Sequence, residues 1–272
     1  MIDYADFVSR LNAKVKSDED FYVELLKTVI KSPHRYTGIF RLTNAKTKLI
    51  QNVTQSREIK FGDFMEEIVT EYIALMGYHN LDKNIGNDDA GNALSADQVF
   101  KKENGIYLIE QKIRDDHDST KKRGQFENFR KKYTLLKSKY PHRKIIASMW
   151  FIDENLKKNK NYYNAEIIKE TIPDVALSVL YGQELFSNIF SRKDIWDEIC
   201  IHLQRNKLER TDEILQIPDF DTSKEMFAAL KTIKANNPSL YHKLISDKPE
   251  YIQLRKELFP TGANINKIKK AA

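Results

Sequence analysis

The stretch YLIEQK, residues 107–112, places a carboxylate and an ammonium two positions apart inside an apolar run typical of a β-strand. Side chains alternate between the two faces of a strand, so Glu110 and Lys112 project to the same side, together with Leu108. A second strand-like run precedes it, and the sequence KENG between them favours a tight turn. The pattern predicts a β-hairpin with strands at about 96–101 and 106–113.

An acid on an apolar strand needs compensation, because a buried carboxylate without a partner is costly. An ion pair, a metal ion or an edge strand in solvent would each provide it. The hairpin would bring Asp97 next to Glu110, and two neighbouring carboxylates repel unless a cation lies between them. Hard oxygen ligands favour Mg²⁺. The metal interpretation places Asp97 and Glu110 on Mg²⁺ with Lys112 beside them, as phosphodiester hydrolysis would require.

The order of the predicted elements indicates an α/β fold. A helix at 62–76, the two hairpin strands, a helix at about 124–139, and strands at 144–151 and 175–182 argue for a central mixed β-sheet flanked by helices. The polar stretch 39–60 indicates no regular element. We interpret 1–60 and 191–272 as helical N- and C-terminal additions. Since the sequence has no internal repeat and no Gly/Ser linker, we predict a single domain, 1–272, with its core at about 62–190.

Composition narrows the class of protein. The chain has 45 Lys and Arg against 39 Asp and Glu, which favours a polyanionic partner such as nucleic acid. A single cysteine, Cys200, excludes an intramolecular disulfide and a Cys-based zinc cluster. The sequence contains neither a signal-peptide pattern nor an apolar run of membrane-spanning length, so we expect a cytoplasmic protein that does not bind a membrane.

Asp97, followed after a gap of twelve residues by Glu110-Gln111-Lys112, resembles the D…(D/E)-x-K signature of the PD-(D/E)XK nuclease superfamily, and type II restriction endonucleases in particular. The resemblance covers about 62–190, and Ala96 stands where the family has proline. It implies a restriction-endonuclease-like core, Mg²⁺ as cofactor and double-stranded DNA as substrate. It also implies a homodimer that matches a palindromic target, and a cognate DNA methyltransferase as a genetic partner.

Two further residues enter through the resemblance. The helix FGDFMEEIVTEYIALMGY is similar to the helix that opens the core of many such nucleases, which implies Glu66 as an additional metal ligand. Helical spacing leaves open that Glu66 lies opposite the apolar face, in solvent. Gln125 begins the helix after the second motif strand. In several branches of the superfamily a glutamine there supports the metal or the scissile phosphate; otherwise Gln125 is an ordinary polar residue of a first helical turn.

Basic and polar residues around this core are candidates for DNA contact. They are the loop run Lys121, Lys122 and Arg123, then Arg130 on the helix, and Lys158, Lys160 and Asn161 in a loop rich in Asn and Tyr. Each run also fits a solvated charged face, and we interpret the acids at 115–118 as solvated loop residues.

The leading interpretation is a Mg²⁺-dependent type II restriction endonuclease that acts on specific double-stranded DNA sites. One alternative keeps the fold and changes the substrate, to DNA of a particular structure in repair or recombination. The other is a non-catalytic DNA-binding protein in which Glu110 and Lys112 form an ion pair on an edge strand.

Overall fold

The structure is a computed structural model that describes residues 1–15, 19–88, 90–209 and 218–270. The chain groups into two compact units. Residues 1–11 and 61–211 form the first, here called the sheet unit, and residues 12–60 and 212–272 form the second, here called the helical unit. The predicted core at about 62–190 lies within the sheet unit.

The central sheet has five strands in the order β1-β4-β5-β6-β7. Its first three strands pair antiparallel, and β5, β6 and β7 run parallel, so the sheet is mixed. A separate antiparallel pair consists of β2 and β3. The strands are β1 (His79–Asn80), β2 (Asn84–Asn87), β3 (Ala93–Ser95), β4 (Gln98–Lys102), β5 (Gly105–Lys112), β6 (Lys144–Phe151) and β7 (Val175–Tyr181). This arrangement confirms the predicted α/β class with a mixed sheet.

Helices surround the sheet and build the described part of the helical unit. They are α1 (Tyr4–Val15), α2 (Glu19–Lys31), α3 (His34–Thr37), α4 (Ala45–Leu75), α5 (Ser119–Lys139), α6 (Lys160–Lys169), α7 (Glu184–Asn188), α8 (Lys193–Glu209), α9 (Lys224–Asn236), α10 (Pro238–Ile245), α11 (Pro249–Leu258) and α12 (Ala263–Lys270). The helix predicted at 62–76 is the second half of α4, which begins in the stretch where we predicted no element. Within the described ranges, every helix is too short or too polar to span a bilayer.

The two faces of the central sheet bury different side chains, as strand alternation requires. Leu108 and Met149 pack on one face with the apolar stripe of α5, which contains Phe126 and Phe129. On the opposite face, Trp150 makes an edge contact with the Trp196 ring, at a centroid distance of 5.9 Å. Glu110 and Lys112 therefore lie on the α5 side, at the carboxyl end of β5, beside the carboxyl end of β6.

The helical unit has its own core, built from apolar residues at helical spacing. On α9, Met226, Leu230 and Ile233 are fully buried, and the helix begins at Ser223, whose hydroxyl accepts the Met226 amide at 3.2 Å. These side chains belong to one cluster with buried residues of α2, among them Leu26. The unit therefore has the contiguous hydrophobic interior expected of a compact body.

Candidate active site

Strand register brings the three motif residues together. Gln98 pairs with Ile109 across the antiparallel β4–β5 hairpin, so Asp97 lies beside the end of β5. Its carboxylate accepts the backbone amide of Gln111 at 2.6 Å and the ammonium of Lys112 at 3.1 Å. The predicted hairpin is therefore present, and it places Asp97 against the Glu110–Lys112 face.

The Lys112 ammonium is the centre of this group. Its Nζ lies 3.1 Å from Asp97 Oδ2, 2.8 Å from Glu110 Oε1 and 2.7 Å from the Gln111 carbonyl oxygen. Burial alone would lower the pKa of Lys112, but the charges of Glu110 and Asp97 outweigh it, and the pKa lies above its ordinary value. Three oxygens thus converge on the Lys112 ammonium, which stays protonated at neutral pH.

A second ammonium, which the sequence analysis did not assign to the site, holds the other oxygen of Glu110. Lys132 Nζ lies 2.6 Å from Glu110 Oε2, and these residues are only 5% and 3% exposed. The helical spacing carried the signal, because Lys132 lies three residues after Phe129 and next to Tyr133 on the buried stripe of α5.

The structure also corrects the predicted start of α5. Asp118 caps the helix, since its carboxylate accepts the amides of Thr120 and Lys121 at 2.9 and 2.8 Å. These amides would otherwise be unsatisfied at the helix start, so the helix begins at Ser119 rather than near 124. The run 121–123 is therefore helical and does not form a loop.

Glu66 lies on α4 and forms an ion pair with Lys83. Its backbone carbonyl accepts the side-chain amide of Gln98 at 2.8 Å, which ties α4 to the strand that follows Asp97. Among the described residues, no three His, Cys, Asp or Glu side chains group as a metal site would require. Glu66 thus does not form an acidic triad with Asp97 and Glu110 here, and its role as a ligand stays a prediction.

Gln125 is partly buried and accepts a hydrogen bond from the Tyr163 hydroxyl at 2.8 Å. This contact connects the first turns of α5 to α6. It gives Gln125 a structural partner, and its proposed support of a metal or phosphate stays a prediction.

The predicted DNA-contact residues lie on two helix starts and the turn before one of them, except Arg130, which lies midway along α5. The loop predicted for Lys158, Lys160 and Asn161 is wrong for the last two residues, because α6 begins at Lys160 and includes Asn161. Lys122 Nζ lies 4.6 Å from the centroid of the Tyr162 ring, and Lys160 Nζ lies 5.3 Å from that of Tyr181.

The remaining candidates differ in how their charges are engaged. Lys121, Arg123 and Lys158 are exposed, and Lys158 Nζ lies 3.4 Å from the carbonyl oxygen of Asp116. Arg130 forms ion pairs with Glu127 and Glu170, at 3.0 and 3.2 Å. Arg130 therefore carries a charge that acids of the chain already balance.

Asp115, interpreted from the sequence as a solvated loop acid, is completely buried. One of its oxygens accepts the Asn159 amide at 2.8 Å and the Tyr181 hydroxyl at 2.9 Å, and the other accepts the Asn159 side-chain amide at 2.8 Å. Burial, and then the bond to Asp115, raise the pKa of Tyr181 above its ordinary value. Asp115 therefore links the segment after β5 to the residue before α6 and to β7.

β5 pairs with β4 on one side and β6 on the other, so Glu110 and Lys112 do not lie on an edge strand. The edge-strand placement in the alternative prediction is therefore wrong, whereas its ion pair between Glu110 and Lys112 is present, at 2.8 Å. The donor set of Asp97, Glu110 and the Gln111 carbonyl consists of oxygens only, the type of ligand that hard divalent cations prefer. An ammonium already sits among these three oxygens, so the residues fit a cation.

The comparison with known families agrees with this geometry. The model of the family described as "Type II restriction endonuclease, HinfI" matches residues 8–88 and 78–207. A search of the curated proteins finds no match to the chain. The match spans well over half of the sequence and includes all of Asp97, Glu110, Lys112 and Lys132. Together with the mixed sheet and the placement of the motif residues, it establishes that this chain belongs to the HinfI family of type II restriction endonucleases.

Proposed function

We propose that this protein hydrolyses phosphodiester bonds at specific double-stranded DNA sites with Mg²⁺, and that Asp97, Glu110 and Lys112 are its catalytic residues. The observation that carries the proposal is the convergence of Asp97 Oδ2, Glu110 Oε1 and the Gln111 carbonyl on one cationic atom, Lys112 Nζ. Membership of a family of restriction endonucleases makes DNA the substrate and hydrolysis the reaction.

Asp97, Glu110 and the Gln111 carbonyl would hold Mg²⁺. When bound, the ion supplies Lewis-acid stabilisation of the phosphate charge and lowers the pKa of a bound water. Lys112 carries its ammonium on a flexible stem with three donors. As an ammonium, it would orient the attacking water and offset the negative charge that develops on the phosphate.

Lys132 is a positioning residue in this proposal, because it touches Glu110 and lies almost wholly buried. It binds Oε2 of Glu110 at 2.6 Å, while Oε1 faces Lys112 at 2.8 Å. The two oxygens thus have separate tasks, and a carboxylate held through one oxygen presents the other with little rotational freedom. Lys132 also balances the charge of Glu110 when Lys112 turns toward substrate.

Glu66 and Gln125 are proposed as supporting residues. Glu66 would bind the metal ion, directly or through water, in place of its ion pair with Lys83. Gln125 would contact the metal shell or the scissile phosphate with its amide nitrogen, because its amide oxygen is engaged by Tyr163.

Phosphate contacts are assigned to the helix starts next to the site. Lys121, Lys122 and Arg123 in the first turns of α5 would contact phosphates through their side chains, because the Asp118 carboxylate already occupies the amides at the start of this helix. Lys158, Lys160 and Asn161 around the start of α6 would contact the same duplex, with Arg130 at its periphery. We also propose a homodimer, since two-fold symmetry would supply one active site per strand of a palindromic site. A DNA methyltransferase that protects the host is the expected genetic partner.

The direct test is digestion of plasmid and phage DNA by the purified protein in Mg²⁺ and in EDTA. The expected result is a set of discrete fragments in Mg²⁺ and intact DNA in EDTA. An Asp97→Asn variant, purified in parallel, serves as the control for contaminating nuclease. Intact DNA under all conditions contradicts the proposal, and a smear contradicts sequence-specific cleavage in favour of a less selective nuclease. Sedimentation of the protein with and without a duplex tests the dimer.

A further inference from the structure

The loop between α3 and α4, residues 38–44 and here called the apolar loop, exposes three large apolar side chains. Ile39 and Phe40 are 90% and 97% exposed, and Leu42 is fully exposed. Single exposed apolar residues are common on protein surfaces, but three within four positions form a patch. Such a patch is a candidate surface for contact with another molecule.

Both ends of the apolar loop are anchored. The Gly38 amide donates to the His34 carbonyl at 3.2 Å, and the Arg41 amide donates to the Gly38 carbonyl at 2.9 Å, which makes a tight turn. At the other end, the Ala45 amide donates to the Glu257 carboxylate at 2.8 Å and thereby fixes the start of α4. The apolar side chains therefore extend from a loop whose two ends are fixed by hydrogen bonds.

The charge around the apolar loop is positive. Between Glu24 and Glu58 the sequence contains no acidic residue and seven basic ones: Lys27, Lys31, Arg35, Arg41, Lys46, Lys48 and Arg57. Arg35, Arg41 and Lys46 are exposed on either side of the apolar residues or among them. Two acids of α11, Glu250 and Glu257, line the groove beside the loop, and Glu257 is engaged by the start of α4.

The distribution of charge between the two units also favours a polyanionic partner for the helical unit. The helical unit contains 20 Lys and Arg against 13 Asp and Glu, whereas the sheet unit contains 25 against 26. The formal net charge of +6 therefore resides in the helical unit, away from the predicted catalytic residues in sequence. A polyanion such as duplex DNA is the partner that this charge attracts.

We propose that the apolar loop is a DNA wedge. Phe40, with Ile39 and Leu42 beside it, inserts between base steps from a groove of the duplex, while Arg41 and the flanking basic residues contact phosphates. Proteins that kink DNA combine these same elements, apolar side chains that unstack a base step and cations that hold the backbone. This inference rests on the proposed function, because it takes DNA as the substrate of the chain.

A second copy of the chain is a weaker occupant for the same surface. A two-fold contact through the apolar loop would bring Arg41 and its basic neighbours opposite the same groups of the partner. Like charges at a desolvated contact repel, whereas phosphates neutralise them. The charge pattern therefore favours the duplex.

The experiment compares wild type with Phe40→Ser, Arg41→Ala and the control Ile201→Ser, which removes an apolar side chain that is 60% exposed in the sheet unit. The probe is a duplex of about three helical turns, with donor and acceptor dyes at its ends, in EDTA and low salt. Anisotropy reports affinity, energy transfer reports bending, and a thermal melt of each variant reports folding. Sedimentation reports self-association without DNA.

The expected result is a shortened end-to-end distance with wild type and with Ile201→Ser, and loss of that bend with Phe40→Ser together with about tenfold weaker binding. Arg41→Ala should reduce the slope of log affinity against log salt by about 1. Unchanged bending and affinity in Phe40→Ser overturn the wedge. The wedge is also overturned if wild type sediments as a dimer, Phe40→Ser sediments as a monomer, and this monomer binds DNA with the affinity of wild type. Absence of cleavage by wild type in Mg²⁺ would instead contradict the proposed nuclease, whatever the bending shows.

Discussion

Glu110 and Asp115 are both buried acids of the sheet unit, and the protein compensates their charges in opposite ways. Glu110 contacts the ammonium groups of Lys112 and Lys132. Asp115 accepts hydrogen bonds only from neutral groups among the contacts described above, those of Asn159 and Tyr181. Neutral donors satisfy a carboxylate and hold its neighbours in place. Ammonium groups neutralise the charge of a buried carboxylate, as the metal ion of the proposed site would.

The difference in exposure supports the same distinction. Asp115 has no exposed surface, so its hydrogen bonds have no access to solvent or substrate. The Lys112 side chain is 28% exposed and that of Asp97 is 24% exposed, so the cation among the acids lies at an opening. In this protein the acid that cations and an opening accompany is the one proposed as catalytic. The acid without them, Asp115, joins structural elements.

The largest expected effect is the loss of cleavage in Glu110→Gln, which keeps the shape of the side chain and removes its charge. A lost metal ligand costs several kcal/mol of transition-state stabilisation, so the rate should fall about 10³-fold or more. Cleavage of plasmid DNA at saturating Mg²⁺ measures it. The variant leaves Lys132 buried without its anion, so its stability should fall too.

The double variant Glu110→Gln/Lys132→Met separates these two effects. It should recover much of the lost stability, because a buried ammonium is replaced by an apolar side chain, while cleavage stays lost. If cleavage returns with stability, Glu110 acts through folding and has no catalytic role.

Lys112→Ala should lower the cleavage rate by about 10²-fold, the usual cost of removing one group that stabilises developing charge. The Mg²⁺ concentration needed for half-maximal cleavage should change little, because Asp97 and Glu110 remain. A Lys112→Arg variant, which keeps the charge and changes its shape, is the matched control. Wild-type rates in Lys112→Ala would remove this residue from the site.

Asp115→Asn should destabilise the protein by about 1.5–3 kcal/mol, because an amide nitrogen replaces one acceptor oxygen in a fully buried group of donors. Denaturant unfolding measures the change. Cleavage per folded molecule should stay near wild type at a temperature where the variant is folded. A loss of cleavage as deep as that of Glu110→Gln, without a loss of stability, would reverse the contrast between the two acids.

Lys132→Met should weaken cleavage about tenfold, in the range typical of residues that orient a metal ligand. The effect should appear as a higher Mg²⁺ requirement, since Glu110 loses the contact that holds Oε2. Lys132→Arg should restore part of the activity. An unchanged Mg²⁺ requirement in Lys132→Met, with only lower stability, would leave Lys132 a purely structural role.

The smallest effect concerns the cap of α5. Two backbone amides hold the Asp118 carboxylate and keep its pKa below the ordinary value of 3.8. A lowered folded-state pKa means that the charged acid contributes stability above pH 3.8, and that this contribution disappears as the pH falls through the lower value. Asp118→Ala should therefore lower the melting temperature by a small amount at pH 7, and the gap should narrow below pH 3.8. A gap independent of pH would contradict the role of the charge.

Several elements were predictable because their signals are local. The period of two along β5 put Glu110 and Lys112 on one face, and the hairpin brought Asp97 to it. The strand predicted at 144–151 has the same bounds in the structure. The predicted start of α5 is wrong although its signal is also local. An Asp directly before a helical segment is a common N-cap, and Asp118 is the N-cap of α5.

The sequence by itself therefore determined the α/β class and the common face of the predicted catalytic residues, since these depend on strand and helix periodicity and on residues adjacent in the chain. Only the tertiary structure decided which partners the charges take. Lys132 contacts Glu110, which is 22 positions away in the sequence. Asn159 contacts Asp115, 44 positions away, and Lys83 contacts Glu66, 17 positions away. The physical reason is that periodicity sets the direction of a side chain, whereas packing of separate elements sets what that side chain meets.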